Sequence, residues 1–238
     1  MSRRRLLALG LAGLLSLAGQ SASARDRVDV LLVLAADVSR SISEQKFELE
    51  RRGYADAFAD PQVLRAITDG PEGRIAVAFV EWAGADEQRL VIDWTIIAGA
   101  GDASAFAARL LKAPRSYTGR TAVGSAIEFA RRVIADAPYD SDRKVIDVSG
   151  DGTSNGGHDI HRARDAAVAS GITINGIVIL TDPVGLPSFL VAHTNPPGGL
   201  AAYYRDNVIG GPGSFVMTAE SFETFGRSLV SKLIREIS

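Results

Sequence analysis

Two aspartates end strand-like runs in this chain, and hydroxyl side chains gather around both. In "LLVLAADVSRSIS" the run from Leu31 to Ala36 stops at Asp37, with Ser39 and Ser41 close behind. In "RKVIDVSGD" a second run stops at Asp151. A third stretch, "SYTGRTAVG", carries Thr121 just ahead of a helix-like segment. Two neighbouring carboxylates repel, and burying them is costly unless a proton or a cation lies between them. Carboxylates and hydroxyls are hard oxygen donors. That set suits Mg²⁺ best, with Mn²⁺ and Ca²⁺ as alternatives. Each residue also has a simpler use. Asp37, Ser39 or Ser41 would serve as a cap for the helix that follows, and Thr121 as the N-cap of a helix starting at Ala122.

Placing these groups together requires parallel strands. "VDVLLVLAADVS" (Val28 to Ser39) is apolar almost throughout, as in strands covered on both faces. Further strands are predicted at Arg74–Ala83, Arg89–Ile97, Arg143–Asp151 and Ile172–Leu180, with a short one at Gly213–Ala219. The turn "GADEQ" makes the second and third a hairpin. Helices are predicted at Ser43–Asp60 with Ser43 as N-cap, at Asp102–Ala113 with Asp102 as cap, at Ala122–Ala137, at Gly157–Gly171 and over the C-terminal "ESFETFGRSLVSKLIREIS". Pro61 and Gly70-Pro71 mark a loop, and Pro183, Pro187, Pro196 and Pro197 a looser region. The alternation predicts an α/β fold: a doubly wound, mostly parallel sheet with one antiparallel edge strand and helices on both faces. Ligands of such sheets bind at the carboxyl ends of the strands, where strand order reverses. If Asp37 and Asp151 end neighbouring strands there, they share one crevice.

Bulk properties narrow the function. The chain has 238 residues and 46% hydrophobic content, enough for one substantial core. A formal net charge of −2 supplies no basic field for nucleic acid. The absence of cysteine excludes disulfides, thiolate metal sites and a cysteine nucleophile. Residues 1–24 read as a signal peptide: a basic start (Arg3, Arg4, Arg5), an apolar middle from Leu6 to Ala18, and Ala22-Ser23-Ala24 as cleavage site. The apolar run is short for a membrane span of roughly 20 residues, and "SRRRLLALG" also permits a twin-arginine export signal. Cleavage would remove three arginines and no acids, leaving 23 basic against 28 acidic residues, a net charge of −5 over residues 25–238. The expected location is periplasmic or secreted, in a bacterium, with residues 25–238 forming one domain and no membrane span after cleavage.

The motifs carry a resemblance. "DVSRS" resembles the D-x-S-x-S signature of von Willebrand factor type A (vWA) domains, and "DGTSN" resembles their later aspartate motif. Thr121 lies in the matching stretch between them. The likeness covers residues 25–238 in element order, and its three motifs together are specific where D-x-S-x-S alone is not. "YYRDNVIGGPGSFV" followed by "SKLIREI" resembles an exported bacterial branch of unknown function. The resemblance implies a metal-ion-dependent adhesion site (MIDAS) in which Ser39, Ser41 and Thr121 contact the ion, with Asp37 and Asp151 binding directly or through water. Such a set leaves a coordination position that a Glu or Asp carboxylate of a protein partner can fill.

The expected function is therefore a non-enzymatic, metal-dependent binding module. The alternative is a Mg²⁺-dependent hydrolase using the same site, for which His158 and His161 are the nearest candidate bases; no G-x-S-x-G elbow is present. A two-lobed solute-binding protein would need a longer chain. Other residues receive plainer readings. Asn155 is a turn residue or a support for the site. His158 and His161, three apart, form half a zinc site or a solvated helix face, and the second is preferred. Glu81 helps shape the binding rim or is an exposed strand-end acid, and the second is preferred; Asp182 is read as a rim residue, and Trp82 and Trp94 as packing residues. The glycines of "AGAGDAS" and "IGGPGS" lack the Lys of a phosphate loop.

Overall fold

The computed structural model describes residues 25–238; the predicted signal segment lies outside the described residues. Six strands form one sheet: β1 (Leu31–Asp37), β2 (Ile75–Trp82), β3 (Gln88–Ile97), β4 (Lys144–Gly150), β5 (Ile172–Ile179) and β6 (Val216–Ala219). Their order is β3-β2-β1-β4-β5-β6. Only the β2–β3 pair is antiparallel, as the hairpin predicted. Every residue of β1 and β2 is buried, which is why both strands read as unbroken apolar runs rather than alternating ones.

Side-chain alternation along the strands builds two cores. Leu32 and Leu34 of β1 pack with Phe58 of α1 (Glu44–Ala59), Phe106 of α3 (Ala100–Lys112) and Leu229 of α8 (Phe225–Ile237). Val33 and Ala35 face the opposite way, toward Ile127 of α4 (Val123–Ala135), Ala167 of α5 (Ile160–Ala169) and Tyr204 of α7 (Leu200–Asn207). The chain leaves β1 for α1 on the first face and leaves β4 for α5 on the second. β1 and β4 are adjacent, so the crevice of a doubly wound sheet opens between their carboxyl ends.

Three expectations about elements change. Residues after Pro61 are not a loop but α2 (Pro61–Thr68); Pro61 sits in the first turn, where its missing N–H costs nothing, and Asp60 caps it by accepting from Gln62 N–H at 2.7 Å. The proline-rich region holds α6 (Ser188–Thr194) and α7, each starting just after Pro187 or Gly199. Asp102 lies inside the first turn of α3 rather than at its cap, and accepts from Ala98 N–H at 3.0 Å. Ser43 is the N-cap of α1, accepting from Lys46 N–H.

Glu81 is a fourth difference. It is buried, not exposed: it pairs with the buried Arg51, and its second oxygen accepts from Ser116 N–H at 2.7 Å. The pair ties β2 to α1 and to the segment that leads toward Thr121. Trp82 and Trp94 pack as expected, their ring N–H groups donating to the carbonyls of Ala35 and Val133. Among the described residues no helix is long and apolar enough to cross a membrane.

Candidate metal centre

Asp37 and Asp151 end adjacent strands, and both are fully buried. β1 closes at Asp37, whose Oδ1 accepts the Ser39 N–H at 2.7 Å. This local bond turns the chain so that Ser39 and Ser41 lie side by side, their hydroxyl oxygens 3.1 Å apart. Ser41 Oγ donates to Asp151 Oδ1 at 2.6 Å, joining residues 110 positions apart. Asp37 Oδ2 and Asp151 Oδ2 are buried without a hydrogen-bond partner.

Thr121 arrives from a third segment. α4 begins with Ala122 at its cap and no side-chain capping bond, so the Thr121 hydroxyl is not used as an N-cap. It lines the same cavity as Ser41. Asn155 positions it: Asn155 Oδ1 accepts the Thr121 N–H at 3.0 Å and Asn155 N–H donates to the Thr121 carbonyl at 2.8 Å. The supporting role for Asn155 is thus the observed one.

Several contributors escape a reading of the sequence. Arg115 holds the serine loop by donating from Nη2 to the carbonyls of Val38 and Ser39 at 2.7 and 2.9 Å. His193 of α6, not His158 or His161, is the histidine beside the site: Nε2 lies 3.3 Å from Thr121 Oγ1 and Nδ1 3.2 Å from Thr153 Oγ1. Burial holds it below the usual imidazole range, against a smaller opposing pull from Asp151. His161 Nε2 instead sits 3.0 Å from Asn207 Oδ1 on the exposed surface, and His158 is exposed. Asp182 is exposed and accepts from Val184 N–H. Gly152 and Gly150 are required by close approach, since a Cβ at the first would strike the His193 ring and at the second the Tyr204 hydroxyl.

Electrostatics bear on the same groups. Burial, and next the charge of Asp151, pushes the Asp37 carboxyl up to about 8. Lys46 approaches the second carboxylate: its Nζ is 3.5 Å from Asp151 Oδ2, too long for a directed hydrogen bond, while it donates to Thr181 Oγ1 at 3.2 Å and lies over the Phe222 ring. Behind the site, Ser149 Oγ donates to Glu50 Oε1 at 2.7 Å, and burial pushes Glu50 up to about 8 as well.

The residues fit a hard divalent cation. Two carboxylates, each with an orphaned buried oxygen, share one hydrogen-bonded cluster with neutral hydroxyls, a donor set suited to Mg²⁺ that keeps some of its water. Among the described residues no group of three or more His, Asp or Glu gathers in ligand geometry, so a nitrogen-rich zinc cage is not what these side chains build.

A pH dependence follows. A carboxyl raised in the folded state adds stability below its unfolded value near 4, and that contribution is lost as pH rises through about 8. Metal-free protein should therefore lose stability between about pH 5 and about pH 8. A cation needs the deprotonated form, so Mg²⁺ affinity should rise over the same interval, by up to about tenfold per pH unit. Isothermal titration in two buffers of different ionisation enthalpy would register the proton released. Equal affinity at both ends of the interval would contradict it.

Comparison with known proteins fits this geometry. Residues 27–238 match the family described as "Protein of unknown function (DUF1194)". Among curated proteins none matches. Proximal thread matrix protein 1 from the mussel byssus superposes with a TM-score of 0.59 at 15% identity over 89% of this chain. This chain spans 49% of that protein, about half its length. A further structure of the mussel protein has a zinc-occupied MIDAS motif. A von Willebrand factor type A protein from Catenulispora acidiphila gives 0.56 at 18% identity, covering 89% of this chain and 43% of its own. An aerotolerance-related membrane protein from Bacteroides fragilis gives 0.51 at 18%, covering 87% and 99%. At such identities the likeness shows the fold, which is that of vWA domains.

Proposed function

We propose that this chain, which belongs to the DUF1194 family, is a metal-ion-dependent binding module that holds a divalent cation and captures an acidic side chain of a protein partner. The observation that carries this reading is the pair of buried, unpartnered oxygens on Asp37 and Asp151, two carboxylates joined through the Ser39 and Ser41 hydroxyls of the loop that follows Asp37. Asp37, Ser39, Ser41, Thr121 and Asp151 would hold the ion. Mg²⁺ is the favoured ion, with Mn²⁺ or Ca²⁺ as substitutes. The zinc-occupied MIDAS of the mussel protein supports divalent binding by this fold. When bound, the cation supplies a Lewis-acidic position for an incoming carboxylate. The protein's own groups do the rest: Arg115 and Asn155 fix the two loops. The first 24 residues support export, to the periplasm or beyond.

One observation favours hydrolysis instead: His193 lies beside Thr121, with burial holding its imidazole below the usual range. Both its ring nitrogens, however, lie within reach of hydroxyl partners, which suits a positioning group better than a free base.

Mn²⁺ water-proton relaxation separates these readings. One Mn²⁺ should bind per chain, and a blocked glutamyl peptide should reduce the relaxation enhancement by displacing metal-bound water. Ser39→Ala and Asp151→Asn should lose Mn²⁺ binding by at least about tenfold. Absence of Mn²⁺ binding would defeat the proposal. Turnover of phosphate or ester substrates that disappears in His193→Ala would replace it with the hydrolase.

A further inference from the structure

Resting on that metal-dependent reading, we infer that the partner is an acidic peptide segment whose metal-seeking carboxylate is accompanied by a second carboxylate and a large apolar side chain. A cavity of about 420 Å³ borders the candidate centre at Ser41 and Thr121, within the size range of ligand sites. Gly119, Asn155 and His193 also line it, and two further sets of side chains each select a different chemistry.

One wall is cationic. Arg40 follows Ser39 in the serine loop and Arg120 precedes Thr121, so both guanidinium groups are placed by the same segments that place the hydroxyls. Both residues are exposed, and among the described residues neither forms an ion pair; Arg120 Nε makes a long 3.4 Å contact with Asn155 Oδ1. Residues 25–238 are net acidic, so this wall is not part of a general basic surface. A guanidinium fork matches a carboxylate in two parallel hydrogen bonds. A second acid on the ligand would pair there while the first seeks the ion.

The other wall is apolar. Leu190 and Phe189 of α6 line it, and Phe189 is 76% exposed. Among the described residues it is one of three large apolar side chains exposed beyond half, and Val184, another, lies in the same segment. An aromatic ring left in water beside a cavity is the kind of anchor that interfaces bury. Charge complementarity and this ring together favour a peptide over a polyanionic glycan, which would use the arginines and leave Phe189 in water.

The test is selection of displayed heptapeptides with a fixed central glutamate on the full chain in Mn²⁺, eluted with chelator. Eluted peptides should be enriched in a second Asp or Glu within two positions of the centre and in Phe, Leu, Met or Tyr. Arg40→Gln combined with Arg120→Gln should bind Mn²⁺ as wild type does, weaken a selected peptide about tenfold and remove the second-acid preference. Phe189→Ser should remove the apolar preference alone. Chelator-eluted peptides with no bias beyond the fixed glutamate would overturn the inference and leave the metal-dependent reading standing. So would Mn²⁺-dependent heparin retention that needs both arginines but not Phe189. No Mn²⁺ binding and no chelator-eluted peptide would overturn both.

Discussion

Asp37→Asn is expected to be more stable than wild type when metal-free, and indifferent to Mg²⁺. The substitution keeps the Oδ1 acceptor for Ser39 N–H and removes the carboxyl that burial and Asp151 make hardest to ionise. Relief of that strain is worth on the order of 1–3 kcal/mol at neutral pH. Wild type should behave in the opposite way. Mg²⁺ at about a hundred times its Kd should add about 2.7 kcal/mol, which for a chain of this size is a rise of about 5–10 °C in Tm. Lys46→Met provides a contrast of opposite sign. Removing an ammonium 3.5 Å from Asp151 Oδ2 should tighten Mg²⁺ several-fold, because the cation no longer competes with a resident positive charge. Thermal melts of the three proteins in chelator and in Mg²⁺ decide the matter. An Asp37→Asn protein that still gains several degrees from Mg²⁺ would show that the ion, if bound, sits elsewhere.

Lys232→Ala is expected to be the most destabilising single change in the fold. Lys232 Nζ is fully buried, 2.7 Å from Asp147 Oδ1 and paired also with Glu236. Asn175 joins the group by donating to Glu236 Oε1 at 2.8 Å while its own Oδ1 accepts the Phe215 N–H. Burial already pushes Asp147 up, and burial with the Asp147 charge pushes Glu236 up to about 7. Deleting the one ammonium leaves two carboxylates in an apolar layer between β4 and α8, at a cost of about 3–5 kcal/mol. The loss should appear as a Tm lower by about 10 °C or more. The sign with pH is fixed by the same argument. Carboxyls raised in the folded state stabilise when protonated, so the variant should recover part of the loss at about pH 5 relative to about pH 8. The combination of Lys232→Met with Asp147→Asn and Glu236→Gln, which removes every charge, should regain most of it. A Lys232→Ala protein within about 1 kcal/mol of wild type would mean that the triad is hydrated rather than buried.

These two clusters differ in how much of them a linear reading reveals. Asp37, Ser39 and Ser41 announce themselves because their spacing is short and their neighbours are uniformly apolar. Asp151 is marked by the same abrupt end to a strand. The Lys232 group has no such signature. Lys232 and Glu236 look like an ordinary helical pair at i and i+4 on an exposed face, and only the seating of α8 against β4 and β5 puts them in the core. Glu81 is illegible in the sequence for the same reason, since its partner Arg51 lies thirty residues away on α1.

The amino-acid sequence by itself determined the alternation of buried strands and amphipathic helices, the antiparallel hairpin, the cap at Ser43 and the hydroxyl-rich ends of two strands. Each of these is set by interactions within a few residues: side-chain periodicity, turn chemistry and capping bonds. Tertiary structure alone decided that β1 and β4 are neighbours, that Ser41 reaches Asp151, and that Arg115, Asn155 and His193 surround the result. Those contacts join segments from 34 to 113 residues apart. They form only because packing both faces of one sheet leaves a single crevice for polar groups that can be neither solvated nor paired elsewhere.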